Sequence, residues 1–223
     1  MPFICHKFQP ERPLKTRRFD TILEYLPKFI PMYEVFEEYI TAHGKFVPED
    51  LRLIRSKATV KKVRKKEFLL QEGEICRYKM FVTKGLLKTH VVRQDGVEHI
   101  LRFAPENSWA TDHESMRTQT PSRVNIEALE NTEVILWNRE SLDELLIAVP
   151  AFREYVVRLM ENALKVTHER VLINLSYTSE EKYADFIASF PDVFKRVPLH
   201  MVASYLGVSR ETLSRIRHAR VRQ

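Results

Sequence analysis

The chain has 223 residues, 44% of them hydrophobic and 30% charged, with a formal net charge of +6. This composition suits a globular protein long enough for one large or two modest domains, and it excludes disordered and fibrous classes. No apolar run is long enough to cross a bilayer. The two cysteines, Cys5 and Cys76, lack metal-binding spacing, which excludes a cysteine-held iron–sulfur cluster or zinc ribbon and fits a reducing cytoplasm.

Residues 1–31 are interrupted by Pro2, Pro10, Pro13, Pro27 and Pro31 and carry a basic excess. They read as a loosely attached extension, with the folded body, and even the authentic start, expected at Met32. From Met32 the spacing of Tyr33, Phe36 and Ile40 among acids predicts a helix, and Pro48 opens a short second one through Asp50–Arg55. From Thr59 to about Trp137 the pattern turns to short alternating runs: Phe68–Leu70, Met80–Val82, Leu86–Val92, His99–Phe103, Val124–Ala128 and Val134–Trp137. Such runs, punctuated by turn residues, predict an antiparallel sandwich or small barrel, and Asp95-Gly96 is the clearest hairpin signal.

Helical periodicity returns over Ser141–Val149 and again from Pro150 to about Ser176. In the longer stretch Val156, Leu159, Ala163, Val166, Arg170 and Ile173 repeat at intervals of three and four. That spacing fits either a dimer seam or an amphipathic helix lying on its own β-domain. Another helix is predicted over Glu180–Ser189, capped by Thr178 or Ser179 and stopped before Pro191.

The stretch Pro198–Arg217 has the residue types of a two-helix corner. Pro198 suits a first helical turn. Val202, Ala203 and Leu206 make one apolar face, with Ala203 small where a second helix crosses. Gly207 is the left-handed terminator, Val208 plugs the angle, and Ser209 caps the second helix. Leu213 and Ile216 turn inward, leaving Arg210, Glu211, Ser214, Arg215, Arg217 and His218 outside. Residues 195–223 hold seven Lys/Arg against one acid, a charge equal to that of the whole protein. A basic helix-turn-helix presents its second helix to the major groove, where Arg donates to guanine and Glu accepts from cytosine. Double-stranded DNA is therefore the expected partner.

With a β-domain, a long helix and a terminal helix-turn-helix in that order, residues 33–217 resemble the Crp/Fnr family of bacterial regulators. The likeness rests on Phe68-Leu-Leu-Gln-Glu-Gly-Glu74, Lys84-Gly85, Asp95-Gly96-Val-Glu98, Ala128-Leu-Glu and Gly207-Val-Ser-Arg-Glu-Thr-Leu-Ser-Arg215. The resemblance implies an α+β fold: a cyclic-nucleotide-binding-like antiparallel jelly roll (double-stranded β-helix) over 32–149, a dimerisation helix over 150–176 and a DNA-binding domain over 177–223. It implies a homodimer on a near-palindromic site, with Val156, Leu159, Ala163, Val166 and Ile173 as the seam. Arg210, Glu211 and Arg215 are then the base readers, with Ser209, Ser214 and Arg217 beside them. RNA polymerase and an unknown small-molecule effector follow as further partners.

The sequence departs from the family in three places. Members that bind cyclic nucleotide open a phosphate cassette with Gly-Glu and close it with Arg-Ser/Thr. Here Ala110 and Thr111 stand in Trp109-Ala-Thr-Asp112, and the closing pair reads Ser122-Arg123, a shift that points Arg123 to the other face of a strand. Trp109, Thr111, Asp112 and Arg123 are thus the candidate effector pocket, without cyclic AMP binding. The four-cysteine oxygen-sensing pattern of one branch is absent. The sequence ends six residues after Arg217, so Arg220 and Arg222 are expected to take the phosphate contacts of a missing wing.

Other signals are weaker. Lys61-Lys62-Val-Arg64-Lys65-Lys66 reads as the wet side of an opening strand. The histidines lack ligand spacing, and no nucleophile elbow or phosphate-gripping loop appears, so neither an enzyme nor a bound cofactor or metal is expected. Asp112, His113 and Glu114 are expected to fall in a loop. The alternative reading is a small-molecule-binding β-domain protein whose terminal hairpin docks a protein partner.

Overall fold

In a computed structural model the described residues are 30–221, with the side chains of 32–219. Residues 1–29 of the expected extension lie outside them. Helices α1 (Ile30–His43) and α2 (Pro48–Ser56) lead into eight strands: β1 (Thr59–Val63), β2 (Phe68–Leu70), β3 (Tyr78–Lys84), β4 (Leu87–Val92), β5 (Glu98–Ala104), β6 (Ser108–Ala110), β7 (Asn125–Ala128) and β8 (Thr132–Asn138). A short helix α3 (His113–Thr118) interrupts them. There follow α4 (Arg139–Ala148), α5 (Pro150–Ser176), α6 (Ser179–Ser189), α7 (Pro191–Arg196), α8 (Leu199–Leu206) and α9 (Arg210–Val221).

The strands form two four-stranded antiparallel sheets, ordered β1-β8-β3-β6 and β2-β7-β4-β5. Strand β8 shows why the sequence makes this sandwich. Its side chains alternate faces, and both faces are covered. Val134 and Leu136 enter the core between the sheets with Met80, Val82, Leu87 and Ile126. Ile135 and Trp137 turn outward into a second core with Phe36, Phe81, Trp109 and Phe152, under α1, α4 and the start of α5. The Trp137 indole N–H donates to the Ile54 carbonyl at 3.0 Å, so its one polar atom is satisfied inside that core. Asp95-Gly96 makes the expected hairpin: Gly96 N–H donates to Arg93 O, and Asp95 Oδ1 accepts from Val97 N–H.

The terminal helices do not stand apart. The described residues from 31 to 221 form one compact unit. Tyr183, Phe186, Val193, Val202, Leu206, Leu213 and Ile216 share a third core with Leu86, Ile100 and Phe103 of the β-domain. Helix α8 lies on the outer strand β5, where the Ser204 hydroxyl donates to Glu98 O at 2.6 Å and accepts from Ile100 N–H at 3.0 Å. A strand edge with unmatched backbone groups is thereby covered by a helix.

Helix α5 takes two of the expected seam residues into the chain's own core. Val156 is 7% exposed and Leu159 is partly buried, both against the chain's own β-domain. Arg170 is also engaged within the chain, donating to the carbonyls of Ile100 and Tyr205 at 3.2 Å each. Val157, Met160, Leu164 and Val171 are among the apolar residues left outward, with Val166, Leu172 and Leu175; the first four stand on one stripe. With Thr167 and Asn174 they repeat at intervals of three and four, one position after the expected set. Of that set, Ala163 and Val166 are exposed and Ile173 half-buried.

Candidate nucleic-acid interface

The corner between α8 and α9 is built as its residues require. Pro198 sits one residue earlier than expected, at the cap of α8, where its carbonyl accepts from Met201 N–H at 2.9 Å. Gly207 ends α8 in the left-handed region at φ 67° and ψ 31°, a conformation that costs a residue with a Cβ about 1 kcal/mol or more. Ser209 Oγ accepts from Thr212 N–H at 3.1 Å, satisfying one orphan donor of α9. Val202, Ala203, Leu206, Leu213 and Ile216 are all at most 5% exposed. Burying Leu213 and Ile216 sets the rotation of α9, so Arg210, Glu211, Arg215, Arg217 and His218 face outward and Ser214 lies half-buried beside them.

The outward face is cationic and unneutralised. Among the described residues no ion pair involves Arg210, Arg215 or Arg217. Glu211 stays ionised: its backbone N–H and the Ser209 hydroxyl, with Arg210 nearby, hold its carboxyl below the usual range. The charge available here is smaller than the count over 195–223 suggests. Arg196 is turned inward to Glu106 and Glu130, and Lys195 pairs with Asp192 at 3.4 Å. Composition could not reveal this, because the two glutamates are some 66 and 90 residues away. The side chain of Arg220, and all of Arg222, lie outside the described residues.

The expected effector residues are not brought together. Trp109 is a core residue, 5% exposed, whose indole N–H donates to the Tyr155 hydroxyl at 2.6 Å. Thr111 Oγ1 points to Tyr78 O, and Arg123 is exposed while Ser122 is buried. Asp112 occupies the cassette itself. One carboxylate oxygen accepts the N–H groups of Glu114 and Ser115 at the start of α3; the other accepts from Ser122 Oγ at 2.8 Å. The expected loop over 112–114 is therefore a capped helix start. Its first N–H groups are occupied by the chain's own carboxylate. The adjoining cleft, about 480 Å³, is lined by Leu69, Leu70, Met80 and residues 74–78. The lysine run is a wet strand, with Lys61 and Lys62 paired to Glu67 and Glu133.

Residues 60–148 match the cyclic nucleotide-binding domain family. The transcriptional activator protein Anr of Pseudomonas aeruginosa is 28% identical over 165 residues, covering 69% of this chain and 67% of that protein. The anaerobic regulatory protein of Pasteurella multocida is 27% identical over 167 residues, or 70% of this chain. The chain spans only 60% of the length of that relative. Among solved structures, FixK2 of Bradyrhizobium japonicum superposes with a TM-score of 0.62 at 23% identity, over 73% of this chain and 83% of FixK2. The catabolite activator protein of Thermus thermophilus gives 0.52 at 20% identity, over 78% and 84%. The fold is thus the α+β architecture of these regulators, and the relatives are regulators, not enzymes. No helix among the described residues is long and apolar enough to cross a membrane.

Proposed function

We propose that the chain is a transcriptional regulator of the Crp/Fnr family that binds a specific DNA site as a cytoplasmic homodimer and does not respond to cyclic AMP. The observation that carries this reading is the unpaired cationic face of α9. Arg210, Glu211 and Arg215 project from its first turns, the part of a recognition helix that reaches base edges. Arg217 and Ser214 follow on the same face, placed for phosphate. The outward stripe of Val157, Met160, Leu164 and Val171 on α5 supports pairing with a second copy. Two recognition helices would then enter successive major grooves roughly 34 Å apart on a near-palindromic site.

The reading that cyclic AMP is not the signal is supported by Asp112. A cyclic phosphate entering the cassette would meet a carboxylate already holding the N–H groups of Glu114 and Ser115. Selection of bound sequences from a randomised DNA pool tests the proposal. A palindromic consensus is expected, and Arg215→Ala should lose on the order of 1–3 kcal/mol on it while relaxing one base position. Recovery of no consensus would sink the DNA reading. Calorimetric titration with cyclic AMP is expected to show no heat of binding.

A further inference from the structure

On the outer face of the second sheet, three neighbouring strands bring four ionisable side chains together. Lys88 and His90 stand on β4, Glu127 on β7 and Glu98 at the start of β5. The Lys88 ammonium touches Glu98 and lies 3.0 Å from Glu127, and its side chain is only 5% exposed. His90 Nε2 faces the Glu98 carboxylate at 3.5 Å. The histidine is 3% exposed, and its Nδ1 has no hydrogen-bond partner among the described residues. One ligand atom each from His90, Glu98 and Glu127 lies within 4.8 Å of the other two.

We propose that His90, Glu98 and Glu127 form a binding site for a divalent transition-metal ion of the zinc or manganese class, in which the Lys88 ammonium now stands where the cation would sit. Two carboxylates and one imidazole are a donor set for such ions, leaving one position open. Metal–ligand bonds of about 2.0–2.2 Å put tetrahedral donors roughly 3.3 Å apart. The His90–Glu98 pair is already at 3.5 Å, and the others, within 4.8 Å, need close by no more than about 1.5 Å. Charge also favours the exchange. Two carboxylates against one ammonium leave the cluster one negative charge in excess, whereas a dication balances both. The Glu98 side chain, 32% exposed, opens the cluster to solvent on one side.

A buried imidazole with its Nδ1 unpartnered is what separates this cluster from an ordinary ion pair. Were Lys88, Glu98 and Glu127 only a structural triad, burying His90 beside them with Nδ1 unpartnered would be a cost with no return. The site also touches the helix-turn-helix, because Glu98 lends its carbonyl to Ser204 on α8. Loading is therefore expected to alter the protection of the Ile100 amide, which Ser204 accepts.

The test is a zinc titration of the full chain against a chromophoric chelator, repeated with manganese. The wild type is expected to take one equivalent. His90→Gln and Glu127→Gln, which keep the packing, should each weaken binding at least 10-fold. Lys88→Met should tighten it, the reverse of what loss of a structural lysine would do. No binding by the wild type overturns the proposal, as does binding that His90→Gln and Glu127→Gln leave unchanged. Amide exchange at Ile100 that is identical with and without bound zinc overturns the link to α8. Both readouts are made without DNA, so they stand apart from any failure of the DNA-binding reading.

Discussion

The Arg196 guanidinium donates to both carboxylate oxygens of Glu106, at 2.8 and 3.0 Å, tying the helix before the helix-turn-helix to the turn after β5. Glu130 completes the clamp from the turn before β8. Both partners are partly exposed, at 25% and 38% for Arg196 and Glu106, so screening limits what the pair contributes. Arg196→Met should cost about 1 kcal/mol, less at high salt. Burial raises the Glu106 carboxyl, but hydrogen bonds from Arg196 and the Gly85 N–H outweigh it and leave it below the usual value of 4.5. A depressed carboxylate stabilises above that value and loses its contribution as pH falls below it. Thermal unfolding of wild type and Arg196→Met should therefore converge in acid.

The same clamp separates two arginines that look alike in sequence. Arg217→Met should lower the slope of log affinity against log salt by about 0.9, the amount for one phosphate contact. Arg196→Met should leave that slope unchanged, because its charge is committed to Glu106 and Glu130. Salt-dependent DNA binding checks both. A slope that falls equally in the two variants would show that the clamp opens on DNA.

Self-association should follow the outward stripe of α5. Leu164→Asp places a charge at the centre of that stripe, where Leu164 is 59% exposed. It is expected to shift sedimentation to the monomer without lowering its thermal midpoint. Val156→Ala should do the reverse, leaving the oligomer but costing on the order of 1–2 kcal/mol through a cavity in the chain's own core. A Leu164→Asp protein that still sediments as a dimer would move the interface elsewhere.

The burial of Val156 and Leu159 against the chain's own β-domain illustrates what the sequence carries and what it withholds. Periodicity located α5 and its length, and β8 as a strand, because burial imposes a repeat on the residues themselves. It could not say which apolar face of α5 meets the β-domain, since both faces are apolar at intervals of three and four. Turn and cap chemistry was equally local and legible, with Gly96, Gly207 and Ser209 each doing what its residue type allows. The Arg196 clamp and the lysine–histidine cluster were invisible because their partners come from distant segments. The cassette misled for a subtler reason: Asp112 looked like one end of a pocket, whereas its carboxylate is consumed by Ser122 and the first N–H groups of α3.

Lys79 offers a test of burial that does not depend on DNA or metal. It is 4% exposed on β3, with its ammonium 5.1 Å from the centre of the Trp109 ring. Among the described residues no carboxylate pairs with it. Burial, reinforced by the positive charge of Arg102, pushes it down from 10.5 to about 8. Below pH 8 the ammonium is present in both folded and unfolded chains, so the cost of holding it under Trp109 is fully felt. Between pH 8 and 10.5 the folded chain has released the proton while the unfolded chain still binds it, and stability rises with pH. Lys79→Met should therefore be more stable than wild type at neutral pH, by about 2 kcal/mol. The contact with the indole face offsets part of the penalty, but such contacts contribute only about 0.5–2 kcal/mol. The gain should shrink steadily as pH is raised through 10. Denaturant unfolding of the two proteins at several alkaline pH values measures it, and a difference independent of pH would mean that Lys79 is charged and stabilised by a partner not yet identified.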